Sequence, residues 1–332
     1  MGLAGYVGKK ALIYLATFFV AVTLNWAIPR FMPGNPIGIL LSRFATLPES
    51  AEVTYSYFMQ AFGLDKPLHE QYLNFWKALL QGDLGVSIYL YPQKVEDIVL
   101  EALPYDIVLI VPAVVVSWII GNWLGALAST NKRLDNLLMP IFYFLTASPY
   151  FWMAIVLAWM FTVMVPVFPP SGAYSPGLTP SLSLEFVVDF IKHWTLPFLS
   201  LLLVMLGGWA IGMRNMIIYE LESNYSRYME ALGASRRLIL RYAFRNAMLP
   251  QITGLALQIG LAVAGAITTE IVFSYPGLGY LMLQAIQNQD YFLMQGAFLV
   301  IVVMVLLSNF VIDLVYAVVD PRIRHTYAGE TA

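Results

Sequence analysis

Long apolar segments separated by shorter polar ones occupy most of this 332-residue chain. A helix that crosses a bilayer needs roughly 20 consecutive, mostly apolar residues. Six segments meet that requirement, at about residues 11–29, 106–128, 138–165, 197–219, 250–273 and 296–319. The pattern therefore predicts an all-α integral membrane protein with six transmembrane helices and an extracytoplasmic insertion between the first and second spans.

The positions of lysine and arginine predict how these spans are oriented. Six spans place both termini on one side of the membrane, and Lys and Arg accumulate in cytoplasmic loops next to spans. The basic residues on the side of the termini are Lys9, Lys10, Lys132, Arg133, Arg227, Arg236, Arg237, Arg241, Arg245, Arg322 and Arg324. We therefore expect a multi-pass protein of the inner or plasma membrane with both termini in the cytoplasm.

The same pattern divides the chain into four parts. Residues 1–29 are predicted to form a cytoplasmic segment and the first transmembrane helix, and residues 30–104 an extracytoplasmic segment. Residues 105–319 would form a core of five transmembrane helices, and residues 320–332 a cytoplasmic tail.

Composition agrees with a membrane protein. Hydrophobic residues make up 59% of the chain and charged residues 11%, against about 25% charged in ordinary soluble domains. The net charge of −2 gives no reason to expect a nucleic-acid partner. The absence of cysteine excludes disulfides, thiolate metal ligands and cysteine nucleophiles. Lys9 and Lys10 precede a segment long enough to span, with no small-residue cleavage site after it, so we expect no cleaved signal peptide.

The extracytoplasmic segment contains one clear helical pattern. Asp65 is predicted as an N-cap with Pro67 in the first turn, and apolar residues recur at helical spacing from Leu68 to Leu80. Gly82 supplies a stop signal. This amphipathic helix either packs against the spans or contacts substrate, and the sequence leaves both roles open.

The two other extracytoplasmic loops are shorter. Residues 166–195 are rich in Pro, Gly and Ser and are predicted to be irregular. Residues 274–290 contain a Pro-Gly turn signal, and a short helix is predicted over 281–286.

A basic stretch over residues 225–250 carries five arginines and one acid, Glu230. Gly233 divides it into two predicted helices, 225–232 and 236–248, of which the second ends at the proline of position 250. The charges are consistent with a loop that only orients the chain and binds anionic lipid headgroups. Small residues around the glycine would also let a partner protein approach closely. Because orientation alone needs no such turn, the pattern favours a docking surface for a cytoplasmic partner.

Arg214, Glu270 and Asp313 lie inside predicted spans, where charge is costly enough to suggest a function. We expect Arg214 to extend its side chain to the membrane surface and Asp313 to form a structural pair. Glu270 suits a polar contact in a transport path and an interhelical bond equally well. Pro149 is expected to kink the third span, because proline lacks a backbone donor. Close helix packing is predicted at Gly207, Gly208, Gly260 and Gly265.

No arrangement of residues supports catalysis. The nearest approach to a phosphate-binding loop, Gly8-Lys9, lacks the first glycine and the following Ser or Thr of that motif. The three histidines, His69, His193 and His325, lie in separate loops without metal-ligand spacing. We therefore expect a transport subunit rather than an enzyme, with no cofactor of its own.

Several motifs together carry a family resemblance. Glu230-Ala231-Leu232-Gly233, followed by Arg245-Asn246-Ala247-Met248-Leu249-Pro250, resembles the EAA loop of binding-protein-dependent ABC importer permeases, with Leu232 replacing a small residue. Four further segments are similar to the oligopeptide/dipeptide-type branch, which also includes oligosaccharide and nickel permeases. They are Phe62–Leu68, Gly82–Ser87, Phe273–Gly279 and Asp320–Arg322.

The resemblance implies a type I importer permease fold and a set of partners. Such a permease pairs with a second homologous six-span permease, usually as a heterodimer, and receives substrate from an extracytoplasmic binding protein. Two ABC ATPase subunits would hold ATP and Mg and accept a coupling helix from the cytoplasmic loop 220–249. The residues implied for that contact are Tyr228, Met229, Glu230, Ala231, Gly233, Ala234, Ser235 and Arg236.

Two further sets of residues are candidates for contacts outside the coupling loop. A substrate path could include Glu270, Trp209 and Trp152. Docking of the binding protein is expected at Tyr275, Pro276, Gly277 and Gly279.

Substrate identity is left open by the sequence. The scarcity of charge in the spans favours an oligosaccharide, with an oligopeptide as the next choice. An alternative function is that of a secondary transporter driven by an ion gradient. That class predicts internal repeats and several membrane-embedded acids, neither of which is clear in this chain.

Overall fold

The computed structural model describes residues 3–43 and 48–319, and helices dominate both ranges. The helices are α1 (Leu3–Phe31), α2 (Pro36–Arg43), α3 (Pro48–Ala61), α4 (Leu68–Leu80), α5 (Val95–Thr130), α6 (Lys132–Ala147), α7 (Tyr150–Ala158), α8 (Leu184–Leu221), α9 (Asn224–Ala231), α10 (Arg236–Phe273), α11 (Leu278–Gln287) and α12 (Tyr291–Val319). A π-helical turn, Trp159–Met164, continues α7. The Asp320–Arg322 motif and the predicted tail lie outside the described residues.

Four helices in the described ranges are long and apolar enough to cross a membrane. They are Gly5–Phe31, Val95–Thr130, Leu184–Leu221 and Tyr291–Val311. A fifth candidate consists of α6 followed by α7 and its π turn, a pair bent by 104°. The predicted fifth span, residues 250–273, lies within α10.

The third predicted span is broken, because α6 ends at Ala147 and α7 begins at Tyr150. Ser148 and Pro149 between them adopt extended backbone angles, with ψ of 131° and 145°. A residue before proline is pushed out of the helical region by contact with the proline ring. Pro149 therefore separates two helices, which is a larger effect than the predicted kink.

The prediction that a helix ends at Pro250 was wrong. α10 runs without interruption from Arg236 to Phe273, with Pro250 inside it. Proline removes one backbone donor from a helix, and the flanking turns on both sides keep their helical bonds here. The basic segment and the fifth predicted span therefore share one helix.

Two other predicted boundaries are corrected by the structure. Residues 166–195 are not irregular throughout, because α8 begins at Leu184, where the Ser183 side chain accepts a hydrogen bond from the backbone of Phe186 (3.3 Å). Asp65 does not cap α4, because the helix starts directly after Pro67. The Pro67 carbonyl accepts hydrogen bonds from the first-turn backbone instead. The predicted span of α4, Leu68 to Leu80, is confirmed.

The described chain divides into two compact units. The first comprises Asp106–Tyr275 with the described residues before Ala11 and after Leu306. Its helices α6 and α8 approach closely at Gly207, where an added Cβ would lie 2.4 Å from the Phe142 carbonyl oxygen. The buried cluster between these helices includes Met139, Phe142, Leu202, Leu206 and Ala210. The predicted close packing at this glycine is thus confirmed.

The second unit comprises Ala11–Tyr105 and Pro276–Leu306. Its main buried cluster joins the start of α5 to α11 and the start of α12, through Val95, Val99, Leu278, Leu281, Leu293 and Ala297. Asp290, which is fully buried, accepts hydrogen bonds from Ser87 Oγ (2.5 Å) and the Tyr89 backbone (2.8 Å). It also accepts one from the Leu293 backbone (3.0 Å), so a single carboxylate caps α12 and holds the loop after α4.

Candidate functional site

The turn between α9 and α10 has the geometry of a glycine-terminated helix. Gly233 has a φ of +75°, which L-residues with a side chain rarely adopt. Its backbone N–H donates to the Glu230 carbonyl (2.9 Å), and that of Ala234 donates to the Met229 carbonyl (3.0 Å). This pair of bonds is the Schellman motif, which satisfies the last carbonyls of a helix. Ser235 then caps α10 by accepting a hydrogen bond from Leu238. The two helices predicted around Gly233 are thus present.

The candidate coupling residues form an exposed surface. Tyr228 is 66% exposed and Leu232 69%, and their spacing of four residues puts both on one side of the short helix. Met229 and Ala234 are half-buried, whereas the remaining candidates, Glu230, Ala231, Gly233, Ser235 and Arg236, are exposed. We call the eight candidate residues together with Leu232 the coupling surface. Apolar side chains exposed beside a tight turn suit contact with another protein.

The coupling surface rests on a hydrogen-bond network centred on Glu220, near the end of α8. The Tyr225 hydroxyl donates to Glu220 Oε2 (2.8 Å), and Asn246 Nδ2 of α10 donates to the same oxygen (3.1 Å). The Glu220 backbone carbonyl accepts from Ser226 Oγ (2.7 Å) and Ser223 Oγ (2.5 Å). One residue therefore ties α9 to both neighbouring helices.

Tyr225 shows how strongly this network favours one protonation state. Burial of the hydroxyl, and its hydrogen bond to the Glu220 carboxylate, raise the pKa of Tyr225 above its usual value of 10.0. A phenolate beside a carboxylate would be repelled, so the neutral, donating form is held. Sequence reasoning did not identify Glu220, although it lies at the edge of the predicted coupling loop.

An apolar cluster lies behind the network. Met213 and Ile217 of α8 pack against Ala243 and Ala247 of α10, and all four side chains are buried. Alanines on α10 let the two helix backbones approach, which fixes the position from which α9 projects. The five arginines of this region, Arg227, Arg236, Arg237, Arg241 and Arg245, are exposed around it.

Two of the ionisable residues of the spans, Asp313 and Arg214, form ion pairs. Asp313 lies 3.0 Å from Lys10 Nζ, which confirms the expected structural pair. Arg214 is paired as well, because its guanidinium binds Asp135 of α6 through two bonds, Nε to Oδ1 (2.9 Å) and Nη2 to Oδ2 (2.6 Å). That its side chain extends to the membrane surface stays a prediction. Bidentate pairs between arginine and a carboxylate are among the stronger charge-assisted hydrogen bonds.

The three candidates for a substrate path lie in different surroundings. Glu270 of α10 is fully buried, and its carbonyl accepts a hydrogen bond from the Tyr275 backbone (2.9 Å). Trp209 of α8 is 8% exposed and packs against Gly254 of α10. Trp152 of α7 is 40% exposed. Their role in a path stays a prediction.

A cavity that the sequence did not suggest lies beside the break between α6 and α7. Its volume is about 660 Å³, and it is lined by uncharged residues of α6 to α8 and α10, including Thr146, Ser148, Tyr150, Gly208, Gln258 and Thr268. Its size lies within the range of about 300–1,000 Å³ typical of ligand sites. The extended Ser148-Pro149 segment, which interrupts the helix, is part of its wall.

The residues predicted to dock a binding protein are mostly buried. Tyr275 is fully buried, Gly277 and Gly279 are buried, and Pro276 is half-buried. In this chain they therefore hold the turn before α11 and present little surface of their own. The predicted short helix after them is confirmed, with α11 spanning Leu278–Gln287.

Metal-ligand geometry is absent from the part of the chain that the structure describes. Residues 3–43 and 48–319 contain no group of three or more His, Asp or Glu side chains that could hold a metal ion. His193 is buried on α8 beside Asp189, with Nδ1 3.4 Å from the carboxylate.

Comparison with known protein families gives one match over most of the membrane core. The family described as "Binding-protein-dependent transport system inner membrane component" matches residues 107–325. That range contains the cavity beside α7 and the whole coupling surface.

Individual relatives match along nearly the whole chain. The dipeptide transport system permease protein DppB of Escherichia coli (strain K12) is 30% identical, over 96% of this chain and 98% of its own length. The oligopeptide transport system permease protein OppB of Haemophilus influenzae is 31% identical, over 96% and 99%. The di/tripeptide transport system permease protein DppB of Pseudomonas aeruginosa is 29% identical, over 96% and 98%.

Proposed function

The chain belongs to the family of binding-protein-dependent transport system inner membrane components, and we propose that it is one half of the membrane channel of an ATP-driven peptide importer. As an ABC permease it is a transport component of the inner membrane and not a catalytic subunit. Membership of this family sets aside the alternative of a secondary transporter driven by an ion gradient.

The coupling surface is the observation that carries the mechanism. A short helix with exposed Tyr228 and Leu232 projects from a rigid base and ends in a glycine turn. We propose that it inserts into a cleft of an ABC ATPase subunit, where ATP and Mg are bound. Because Glu220 links α9 to α8 and α10, a displacement of α9 moves both long helices. ATP binding and the binding protein then shift the chain between two helix arrangements through differential contacts.

Topology follows from the same proposal. The four long apolar helices, the bent pair of α6 and α7, and the C-terminal part of α10 supply six spans. With the arginine-rich segment 225–250 in the cytoplasm, both termini are cytoplasmic and residues 30–104 are extracytoplasmic. We propose that a second, related six-span permease completes the path and that the extracytoplasmic parts of the two receive the binding protein.

For the substrate we propose a short peptide. The relatives described above are named for dipeptides, di- and tripeptides or oligopeptides. The cavity beside α7 has an uncharged, mainly apolar lining that also offers amide and hydroxyl groups, which suit the N–H and C=O groups of a peptide backbone. From the sequence, an oligosaccharide was favoured because few charged residues lie in the spans. The uncharged lining of this cavity also accommodates a peptide if water screens the charges at its two ends.

Cross-linking tests the coupling contact. Because the chain has no cysteine, a single Tyr228→Cys substitution introduces a unique thiol on α9. We expect it to cross-link to an ATPase subunit in membranes that contain the complete transporter, with a yield that changes when ATP is added. The matched control is Tyr143→Cys, a comparably exposed tyrosine (55%) in the second half of α6.

A result in which both thiols behave alike would contradict the proposal. Cross-linking of Tyr228→Cys only to the binding protein would contradict it more directly, since the coupling surface would then lie on the opposite side of the membrane.

A further inference from the structure

A second cavity, of about 170 Å³, lies entirely within the second unit. Helices α1, α4 and α12 and the loop after α4 form its wall, and its polar lining comprises Arg30, Gln71, Asn74, Asp83 and Gln295. Its volume is below the range of about 300–1,000 Å³ that encloses a drug-sized ligand. The space therefore suits a group the size of an amino acid or the end of a peptide.

The guanidinium of Arg30, which lines this cavity, is held in place by its neighbours. Its Nε donates to Gln71 Oε1 (3.0 Å), and Nη1 donates to the Trp26 carbonyl (2.9 Å). The guanidinium carbon lies 4.3 Å from the centre of the Trp26 ring. Gln71 is itself oriented, because its Nε2 donates to the Lys66 carbonyl (2.7 Å). Arg30 is therefore positioned before any ligand arrives.

No carboxylate among the described residues neutralises the charge of Arg30. Two of its five N–H donors are used in these bonds, and the ion pairs of residues 3–43 and 48–319 do not include it. A half-buried cation without a carboxylate is unfavourable. The remaining donors thus favour an incoming carboxylate.

An opposite charge lies at the exposed part of the same cavity. Asp83 is exposed, and its Oδ1 accepts a hydrogen bond from the Gly85 backbone (2.8 Å), which fixes the side chain. Asp83 and Arg30 do not form an ion pair with each other in the described structure. The cavity is therefore lined by a half-buried cation and an exposed anion.

We propose that this cavity binds a zwitterionic amino acid or the backbone of a dipeptide, with its carboxylate on Arg30 and its ammonium group toward Asp83. The apolar lining, which includes Phe62, Phe75 and Phe292, accommodates a side chain between the two charged ends. The ligand class follows from the two charges alone and is independent of the coupling surface.

The test measures binding of glycylglycine to the full chain in nanodiscs of phosphatidylcholine. We expect N-acetylglycylglycine and glycylglycinamide, each lacking one charge, to bind at least tenfold more weakly. Arg30→Gln should weaken glycylglycine binding at least tenfold. The matched control is Lys77→Gln, which removes the same charge from α4 outside the cavity lining and should leave binding unchanged.

Asp83→Asn provides a second variant at an exposed position, in case Arg30→Gln impairs folding. It should weaken binding of glycylglycine while leaving the N-acetylated form unaffected. Equal binding of all three ligands, or equal binding to Lys77→Gln and Arg30→Gln, would overturn the proposal. So would binding of phosphoethanolamine without glycylglycine, which would identify a lipid headgroup site. Cross-linking at Tyr228 does not depend on any of these outcomes.

Discussion

Gly233 is the single residue on which the shape of the coupling surface depends most directly. No described atom lies within 4 Å of the position a Cβ would take there, so a side chain meets open space and only the backbone conformation resists it. The left-handed conformation costs about 1–2 kcal/mol for an L-residue with a side chain. The cost is higher for a β-branched residue. The cost falls on the turn alone, while the packed helices on either side are untouched.

We predict that Gly233→Val uncouples ATP hydrolysis from transport. The strained turn should displace Tyr228 and Leu232 while the spans stay folded. In the reconstituted complex, ATPase activity stimulated by loaded binding protein should fall several-fold with an unchanged unfolding temperature. Gly233→Asn is the control, because asparagine tolerates this conformation and should retain most of the activity. Full stimulation in the valine variant would refute the coupling role of the turn.

A pH dependence follows from the raised pKa of Tyr225. The neutral hydroxyl is the form that donates to Glu220, so the folded pKa exceeds the unfolded value of 10.0. The stabilisation is fully present below pH 10 and is lost as the pH rises through the folded pKa. Thermal unfolding should therefore show a gap between wild type and Tyr225→Phe that is constant from pH 7 to 9 and shrinks above pH 10. A gap that widened above pH 10 would exclude this network.

At the level of helices, α6 and α8 are in direct backbone contact at Gly207 and not at Gly208. A Cβ on Gly207 would lie 2.4 Å from a backbone oxygen of α6, whereas on Gly208 the nearest atom is Thr146 Oγ1 at 3.5 Å. A Cβ at position 207 would therefore force the two helices apart, whereas a Cβ at position 208 would make an ordinary van der Waals contact. Adjacent glycines in one helix thus have different packing roles.

We predict that Gly207→Ala destabilises the chain by about 1–3 kcal/mol, the usual cost of overpacking. Gly208→Ala should be neutral or slightly stabilising, because alanine favours the helix by up to about 1 kcal/mol over glycine. Denaturation in detergent, followed by helical circular dichroism, compares the two variants. Equal stability of both would show that the helices separate at no cost, contrary to the described packing.

The helices show which features of the fold were within reach of the sequence. The Leu68–Leu80 helix was predicted correctly because its periodicity and its glycine stop are local signals. A helix end was predicted at Pro250 because proline lacks a backbone donor. That prediction did not take into account that helical residues on both sides of Pro250 can continue the helix through it. The Arg214–Asp135 pair was missed for another reason: its members are 79 residues apart. Neither periodicity nor motif spacing reports such a contact.

In the candidate site, too, some features could be predicted from the sequence and others could not. The turn at Gly233 and the short helix α9 could be predicted, because a break between two helical patterns is visible in consecutive residues. The role of Glu220 could not be predicted, because its carboxylate accepts a hydrogen bond from Asn246, which lies 26 residues further along the chain. The cavity beside α7 depends on four helices meeting at a break, which residue types alone do not specify.

For the molecule as a whole, the orientation in the membrane is the property most open to direct measurement. We predict that Ser235→Cys, on the coupling surface, reacts with a membrane-impermeant maleimide only in inside-out vesicles. Leu182→Cys, in the segment before α8 and 99% exposed, should react only in right-side-out vesicles. The cysteine-free background means that each signal has one source. Labelling of both thiols from the same side would contradict the six-span topology.

The uninterrupted course of α10 has a mechanical consequence. Its 38 residues correspond to a rod about 57 Å long at about 1.5 Å per residue. If the arginine-bearing end is held by a moving neighbour, a rotation of only about 5° displaces the opposite end by about 5 Å, roughly the pitch of one helical turn. A small rotation at the arginine-bearing end would thus become, at the opposite end, a displacement about as large as a side chain.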